Sequence, residues 1–170
     1  MHQSTFRYCT LLACLFVMGG ALAAESTAED DQAVRALLQQ LVAAYESRDV
    51  PTIMAFYVPD ESLIAFDMTP PLRFVGAKAF SQGYQDFYAA FPGPVTVETR
   101  QMNITTTGAL AYAHGIDTWT VTDPIGKQVS FTVRETYVLR KLAGKWLIIH
   151  EHASVPVDFN TGKAAFSLDP

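Results

Sequence analysis

The chain has 170 residues, 12 basic side chains against 17 acidic ones, a formal net charge of −5 and 49% hydrophobic residues. No cluster of lysine and arginine remains to bind nucleic acid or an anionic membrane, and the hydrophobic share excludes a disordered chain. The length suits one domain with a substantial core.

The N-terminus has the form of a secretory signal. Met1 to Arg7 is weakly basic, Leu11 to Val17 is apolar, and Ala21-Leu22-Ala23 is an A-x-A cleavage site before the polar Ala24-Glu25-Ser26. The apolar run is too short to span a bilayer. Leu11-Leu12-Ala13-Cys14 has lipobox form, but the run continues past Cys14 to a better site. The expectation is a signal peptide at 1–23, one domain at 24–170, and a secreted or periplasmic protein with no membrane attachment after cleavage. Cys9 and Cys14 leave with the signal, so the mature chain has no disulfide, thiol nucleophile or thiolate metal site.

Ser26-Thr27-Ala28-Glu29 is a capping box, and Val34, Leu37, Leu38, Leu41, Val42 and Tyr45 follow at helical spacing. Asp49 is a suitable N-cap for a short second helix with Pro51 in its first turn, and Pro59 ends it. Ser62 to Phe66 reads as a strand leading directly to Asp67. Thr69-Pro70-Pro71 is a turn, and Leu72 to Val75 is extended. Gly76 opens a third helix with an aromatic stripe of Phe80, Tyr84, Phe87, Tyr88 and Phe91, stopped by Pro92-Gly93-Pro94. Strands follow near 95–106, 109–122, 127–141 and 145–157, and the tail from Asp158 is expected to wrap the surface. Helices first and a long antiparallel meander afterwards predict an α+β fold. In it a curved antiparallel sheet wraps about three N-terminal helices as a cone with one internal pocket.

The last strand, Gly144 to Pro156 (GKWLIIHEHASVP), carries the densest chemistry. Strict alternation puts Trp146, Ile148, His150, His152 and Ser154 on one face and Glu151 on the other. A tight hairpin would add Glu135 and Tyr137 to the histidine face, and Arg134 and Thr136 to the glutamate face. The pattern leaves open which face looks into the cone, because one residue of register slip exchanges them.

The order of these elements resembles the SnoaL-like and ketosteroid-isomerase-like branch of the nuclear-transport-factor-type α+β cone. The resemblance rests on Arg48-Asp49, Phe56-Tyr57-Val58-Pro59-Asp60, the strand ending at Asp67, Gly76 with its aromatic helix, and the closing GKWLIIHEHASVP. That closing strand also resembles the association domain of calcium/calmodulin-dependent protein kinase. The fold hosts isomerases, cyclases, dehydratases and non-catalytic modules. In ketosteroid isomerases the general base is an aspartate after the first strand, and Asp67 matches it. The family's oxyanion pair, a helix tyrosine and a protonated aspartate, falls near Leu41 and Thr136, with Tyr45 one turn from the first.

The resemblance implies Asp67 as base, with His150, His152 or Arg134 stabilising an enolate-like charge. Tyr45, Tyr57, Phe74, Tyr84, His114, Trp119 and Glu151 are the candidate ligand contacts. His114 and Trp119 differ in parity, so without a bulge only one of them can face the pocket. A metal held by His150, His152 and either His114 or Asp67 is the weaker alternative, since the chain has no H-E-x-x-H helix. The reading therefore carries no cofactor. Partners are a small, largely apolar organic ligand and, because both sheet parities are apolar, a second copy of the chain in a homodimer. The bland alternatives are Asp67 as a turn cap and the His, Glu and Arg groups as a network between subunits.

Overall fold

Val34, Leu38, Leu41, Ala44 and Tyr45 recur along one helical face, and these are the side chains that α1 (Ala28–Ser47) buries. The computed structural model describes residues 28–168. The expected leader, and Ser26 and Thr27 of the expected capping box, lie outside the described residues. Within them, the start of α1 is tied to the sheet. Asp30 accepts Lys141 Nζ at 2.7 Å and Trp146 Nε1 at 3.1 Å, and Asp31 accepts Thr106 Oγ1 at 2.6 Å.

At the other end of α1, Arg48 takes a left-handed backbone with φ 61. Its guanidinium donates to the carbonyls of Pro92, Gly93 (2.5 Å) and Tyr88 (2.9 Å). This ties the end of α1 to the end of α3 (Ala77–Ala90). The second helix, α2 (Val50–Met54), has Pro51 in its first turn. Asp49 holds the N-cap backbone position, yet its carboxylate accepts Thr52 Oγ1 at 2.5 Å and caps no amide.

The strands are β1 (Ile64–Phe66), β2 (Phe74–Val75), β3 (Val95–Thr107), β4 (Leu110–Thr122), β5 (Gln128–Leu142) and β6 (Lys145–Ser154). They form one sheet in the order β2-β1-β6-β5-β4-β3. The meander β3 to β6 is antiparallel, whereas β1 runs parallel to β6. The expected last strand stops early, at Ser154. Pro156 lacks the amide a ladder needs, and the tail forms its own small hairpin from β7 (Val157–Asp158) and β8 (Lys163–Ala164). Three helices on one side of a curved, mostly antiparallel sheet make the α+β cone that the sequence predicts.

One expectation fails on β6. Val138 pairs with His150 but the next residue, Leu139, pairs with Ile148, so Ile149 is an extra residue in the ladder. A bulge of one residue reverses the alternation beyond it. Trp146 and Ile148 are buried inward, and after the bulge Glu151 takes the inward position while His150 and His152 turn outward. The grouping of His150 and His152 with Trp146 and Ile148 is therefore wrong. Glu135 and Tyr137 share a face with Glu151, and Arg134 and Thr136 share one with the histidines.

The bulge sits where β6 changes neighbours. Before it, Phe56 and Val58 exchange backbone bonds with Ile148 at 2.9 and 3.0 Å. After it, β1 pairs with His150 to His152. The core between helices and sheet includes the fully buried Tyr45, Tyr57, Leu41, Ile53, Leu63, Leu139 and Ile148. Each such side chain contributes on the order of 1.5–3 kcal/mol by leaving water. Among the described residues no helix is long and apolar enough to cross a membrane.

Candidate active site

The inward stripes of the three central strands are apolar except at one place each. On β4 the stripe is Ala111, Ala113, Gly115, Asp117, Trp119 and Val121, and on β5 it is Phe131, Val133, Glu135, Tyr137 and Leu139. Gly115 pairs with Glu135, and Glu135 with Ala153, so small residues flank this glutamate across the sheet. Asp117 lies opposite Val133 and Glu151 opposite Tyr137, which sets the three acids on a diagonal with Glu135 at its middle. Neighbours on such a diagonal are about 7–8 Å apart. Asp67 follows Phe66, the last paired residue of β1.

A cavity of about 60 Å³ opens between this row and α3. Phe80, Tyr84 and Phe87 of α3 face Trp119 and Phe131 of the sheet across it, and Asp67, Glu135 and Glu151 also line it. None of its lining residues is basic.

Behind the cavity three tyrosine hydroxyls meet. Tyr45 Oη and Tyr57 Oη are 2.9 Å apart, Tyr84 Oη lies 3.2 Å from Tyr45 Oη, and Tyr57 donates to Glu151 Oε2. Each hydroxyl has one proton. If Tyr57 gives its proton to Glu151, Tyr45 must donate to Tyr57, and Tyr84 to Tyr45. When Glu151 is itself protonated the chain can run the other way, which leaves the Tyr84 hydroxyl free to donate into the cavity. The direction of the chain is thus set by one proton on Glu151.

Burial governs the acids. It pushes Glu151 up to about 8 against the opposing bond from Tyr57, and the charges of Asp67 and Asp117 add to the rise. Burial also raises Glu135 well above the usual range, helped by the charges of Glu151, Asp117 and Asp67. Its Oε2 is buried without a hydrogen-bond partner among the described residues. Asp67 is raised more modestly by burial, because the amides of Thr69 and Met68 and the Thr69 hydroxyl favour its ionised form. The Thr69 amide lies 3.2 Å from Asp67 Oδ1. Tyr45, Tyr57 and Tyr84 are held well above their ordinary values, first by burial and then by the Glu151 charge, so they remain protonated donors.

The site residues expected from sequence divide by face. Asp67, Tyr84, Trp119 and Glu151 line the cavity, Tyr45 and Tyr57 stand behind it in the hydroxyl chain, and Phe74 packs against Phe80 with ring centroids 5.5 Å apart. His150, His152, His114 and Arg134 fall on the outer face. His150 Nδ1 bonds to the Ile64 carbonyl at 2.8 Å, and the Phe66 ring contacts both His150 and His152. His114 stacks on Tyr112. The bulge and the strand alternation thus keep all four out of the cavity, away from any charge developing there. They also separate the histidines from Asp67, and among the described residues no three His, Cys, Asp or Glu side chains are grouped to hold a metal.

Glu135 and Asp117 were not singled out as site residues. Their signal is present in the chain, as one acid inside an otherwise apolar period-two stripe. Tyr45 lies one turn beyond Leu41 on the buried face of α1, and Glu135 is the inward neighbour of Thr136.

The SnoaL-like domain family model matches residues 34–158. A solved NTF2-like protein of unknown function from Pseudomonas putida KT2440 is 30% identical, with a TM-score of 0.77 over 85% of this chain and 99% of that one. A putative calcium/calmodulin-dependent protein kinase II association domain from Xanthomonas campestris is 22% identical, with a TM-score of 0.64 over 77% and 93% of the two chains. A ketosteroid isomerase-like protein from Erwinia carotovora atroseptica is 20% identical, with a TM-score of 0.65 over 75% and 97%. No curated protein matches the sequence.

Proposed function

We propose that this chain, which belongs to the SnoaL-like family, binds a small, largely apolar organic molecule in the α3-facing cavity and catalyses proton transfer on it. The observation that carries this reading is the pairing of two unlike carboxyl environments in one aromatic cavity. Burial raises all three acids, but at Asp67 backbone amides offset part of that rise, whereas Glu135 is held well above the usual range and Glu151 up to about 8. Such divergence separates a base from an acid.

Asp67 would remove a carbon-bound proton next to a carbonyl group. The oxygen of that carbonyl gains negative charge as the C–H bond breaks, and Tyr84 with the neutral Glu135 would donate hydrogen bonds to it. Returning the proton from Asp67 to another carbon gives isomerisation. Loss of a hydroxyl beta to the carbonyl from the enolate, leaving as water with a proton from neutral Glu135, gives dehydration. Solved structures of similar fold include a putative dehydratase of the NTF2-like family from Streptomyces avermitilis. Cyclohexanone in deuterium oxide is a suitable probe. Wild-type protein should accelerate uptake of deuterium at the carbons beside its carbonyl, and Asp67→Asn should lower the rate at least a hundredfold while the protein stays folded. Equal rates for the two proteins would overturn the reading.

A second reading is favoured by the volume of the cavity, about 60 Å³. Pockets for drug-sized ligands are ordinarily about 300–1,000 Å³. On this reading the cavity is a non-catalytic binding or assembly module. Saturable cyclohexanone binding without isotope exchange would select it. We further propose export by the N-terminal segment and a homodimer formed through the outer face of the sheet.

A further inference from the structure

A second cavity, of about 320 Å³, lies between α1 and the β3–β5 part of the sheet. It is larger than the acid–tyrosine cavity and shares no lining residue with it. Its origin is a bulge in β3. Arg100 pairs with Ile116 and Asn103 with His114, so Gln101 and Met102 together face the single residue Gly115. Gln101 takes a left-handed φ of 55. Such a bulge bends its strand locally. The Met102 methyl rests over Gly115, where an added Cβ would lie 3.1 Å from it.

The lining is sorted by chemistry. Leu38 and Val42 from α1, with Met102 and Ile104 from β3, give an aliphatic body. Asp117, 1% exposed, also lines it, and its Oδ1 has no hydrogen-bond partner among the described residues. Thr99 bonds its carboxylate, and burial pushes it up to about 6. Arg35, exposed on α1, is the only basic side chain among the described lining residues. Leaving a buried acceptor unsatisfied costs about 1–3 kcal/mol, and voids of this size are uncommon in close-packed interiors.

We infer that this second cavity is a binding site for a small aliphatic primary amine, its ammonium group on Asp117 and Thr99 and its chain along Leu38, Val42, Met102 and Ile104. An ammonium supplies the missing donor and neutralises the buried carboxylate. An alcohol would supply the donor only. The described lining residues of the two cavities differ, so the site does not rest on the proton-transfer reading, although the Asp117 charge also bears on Glu135 and Glu151.

Two methionines make the test local, since Met102 lines this cavity and Met68 the other. Full-length protein carrying 13C-methyl methionine would be titrated with n-hexylamine, and separately with 1-hexanol, at pH 7. The Met102 methyl signal, assigned through Met102→Leu, should shift saturably with the amine. The amine should bind at least tenfold more tightly than the alcohol, and Asp117→Asn should weaken it at least tenfold. Val42→Trp should abolish the Met102 shift by filling the cavity. Several results would overturn the inference: no saturable shift, a shift at Met68 alone, equal affinity for the alcohol, or undiminished amine binding by Asp117→Asn. The last does not depend on whether Val42→Trp folds.

Discussion

Glu151 accepts the Tyr57 hydroxyl while burial holds its carboxyl up to about 8, above the ordinary 4.5. Below 4.5 both folded and unfolded chains are protonated there, and its contribution to stability is fully present. Between the two values only the unfolded chain releases the proton, so stability is lost as pH rises through about 8. Glu135, Asp67 and Asp117, the last at about 6, shift in the same direction. The exposed Asp60, Glu98 and Asp158 shift downward through hydrogen bonds and act oppositely, but only in stronger acid. Thermal denaturation should therefore give a Tm that falls steadily from pH 5 to pH 9. Glu151→Gln keeps an acceptor for Tyr57 and removes the titration, so its decline should be shallower and its Tm at pH 9 no lower than that of the wild type. A variant that retains the full slope would show that Glu151 is not the buried proton. Tyr57→Phe, which leaves Glu151 without its donor, should cost about 1–3 kcal/mol in a denaturant titration.

The element scale turns on two backbone irregularities. The extra residue Ile149 in β6 exchanges which of Glu151 and the histidines faces the cavity. Gly76 begins α3 with φ 85 and ψ 150, a region open essentially to glycine. Its amide donates to the Leu63 carbonyl at 2.8 Å, which fixes where α3 starts relative to β1. An added Cβ would also meet the Glu61 carboxylate, a flexible group that can move aside. The backbone therefore dominates, and Gly76→Ala should cost about 1–3 kcal/mol. Equilibrium unfolding in urea checks this, and an unchanged midpoint would mean that α3 can start elsewhere.

At the scale of the whole molecule, the outer face of the sheet is left without a cover by the described residues. Ile116, Val138, Leu147 and Ile149 are half-buried on it, and Leu110, Tyr112 and Phe66 are exposed at 46%, 47% and 38%. Threonine pairs such as Thr118 with Thr132 run between them. A face of this mixed kind suits a two-fold interface with a second copy. Light scattering at micromolar concentration should report a dimer, and Tyr112→Asp should give a folded monomer. A strictly monomeric wild-type chain would remove the interface. For export, intact mass of the natural protein should give an N-terminus near Ala24, whereas a diacylated Cys14 would replace secretion with lipid anchoring.

The sequence by itself determined the element order, the helix faces, the α+β class and the family. It also brought out Asp67, Tyr84, Trp119 and Glu151, the candidates that line the cavity. These follow from local rules: helical spacing, turn residues and strand alternation act over a few residues and leave their period in the chain. Tertiary structure alone decided the facing of His150, His152, Arg134 and Glu135. That facing depends on one unpaired residue in β6, whose place is set by a change of neighbour from the Phe56–Val58 segment to β1. It also decided that three tyrosines from α1, the segment after α2, and α3 share one hydroxyl chain on Glu151. Long-range contacts of that kind have no period in the sequence. They exist only once the helices close over the sheet and burial fixes where the protons reside.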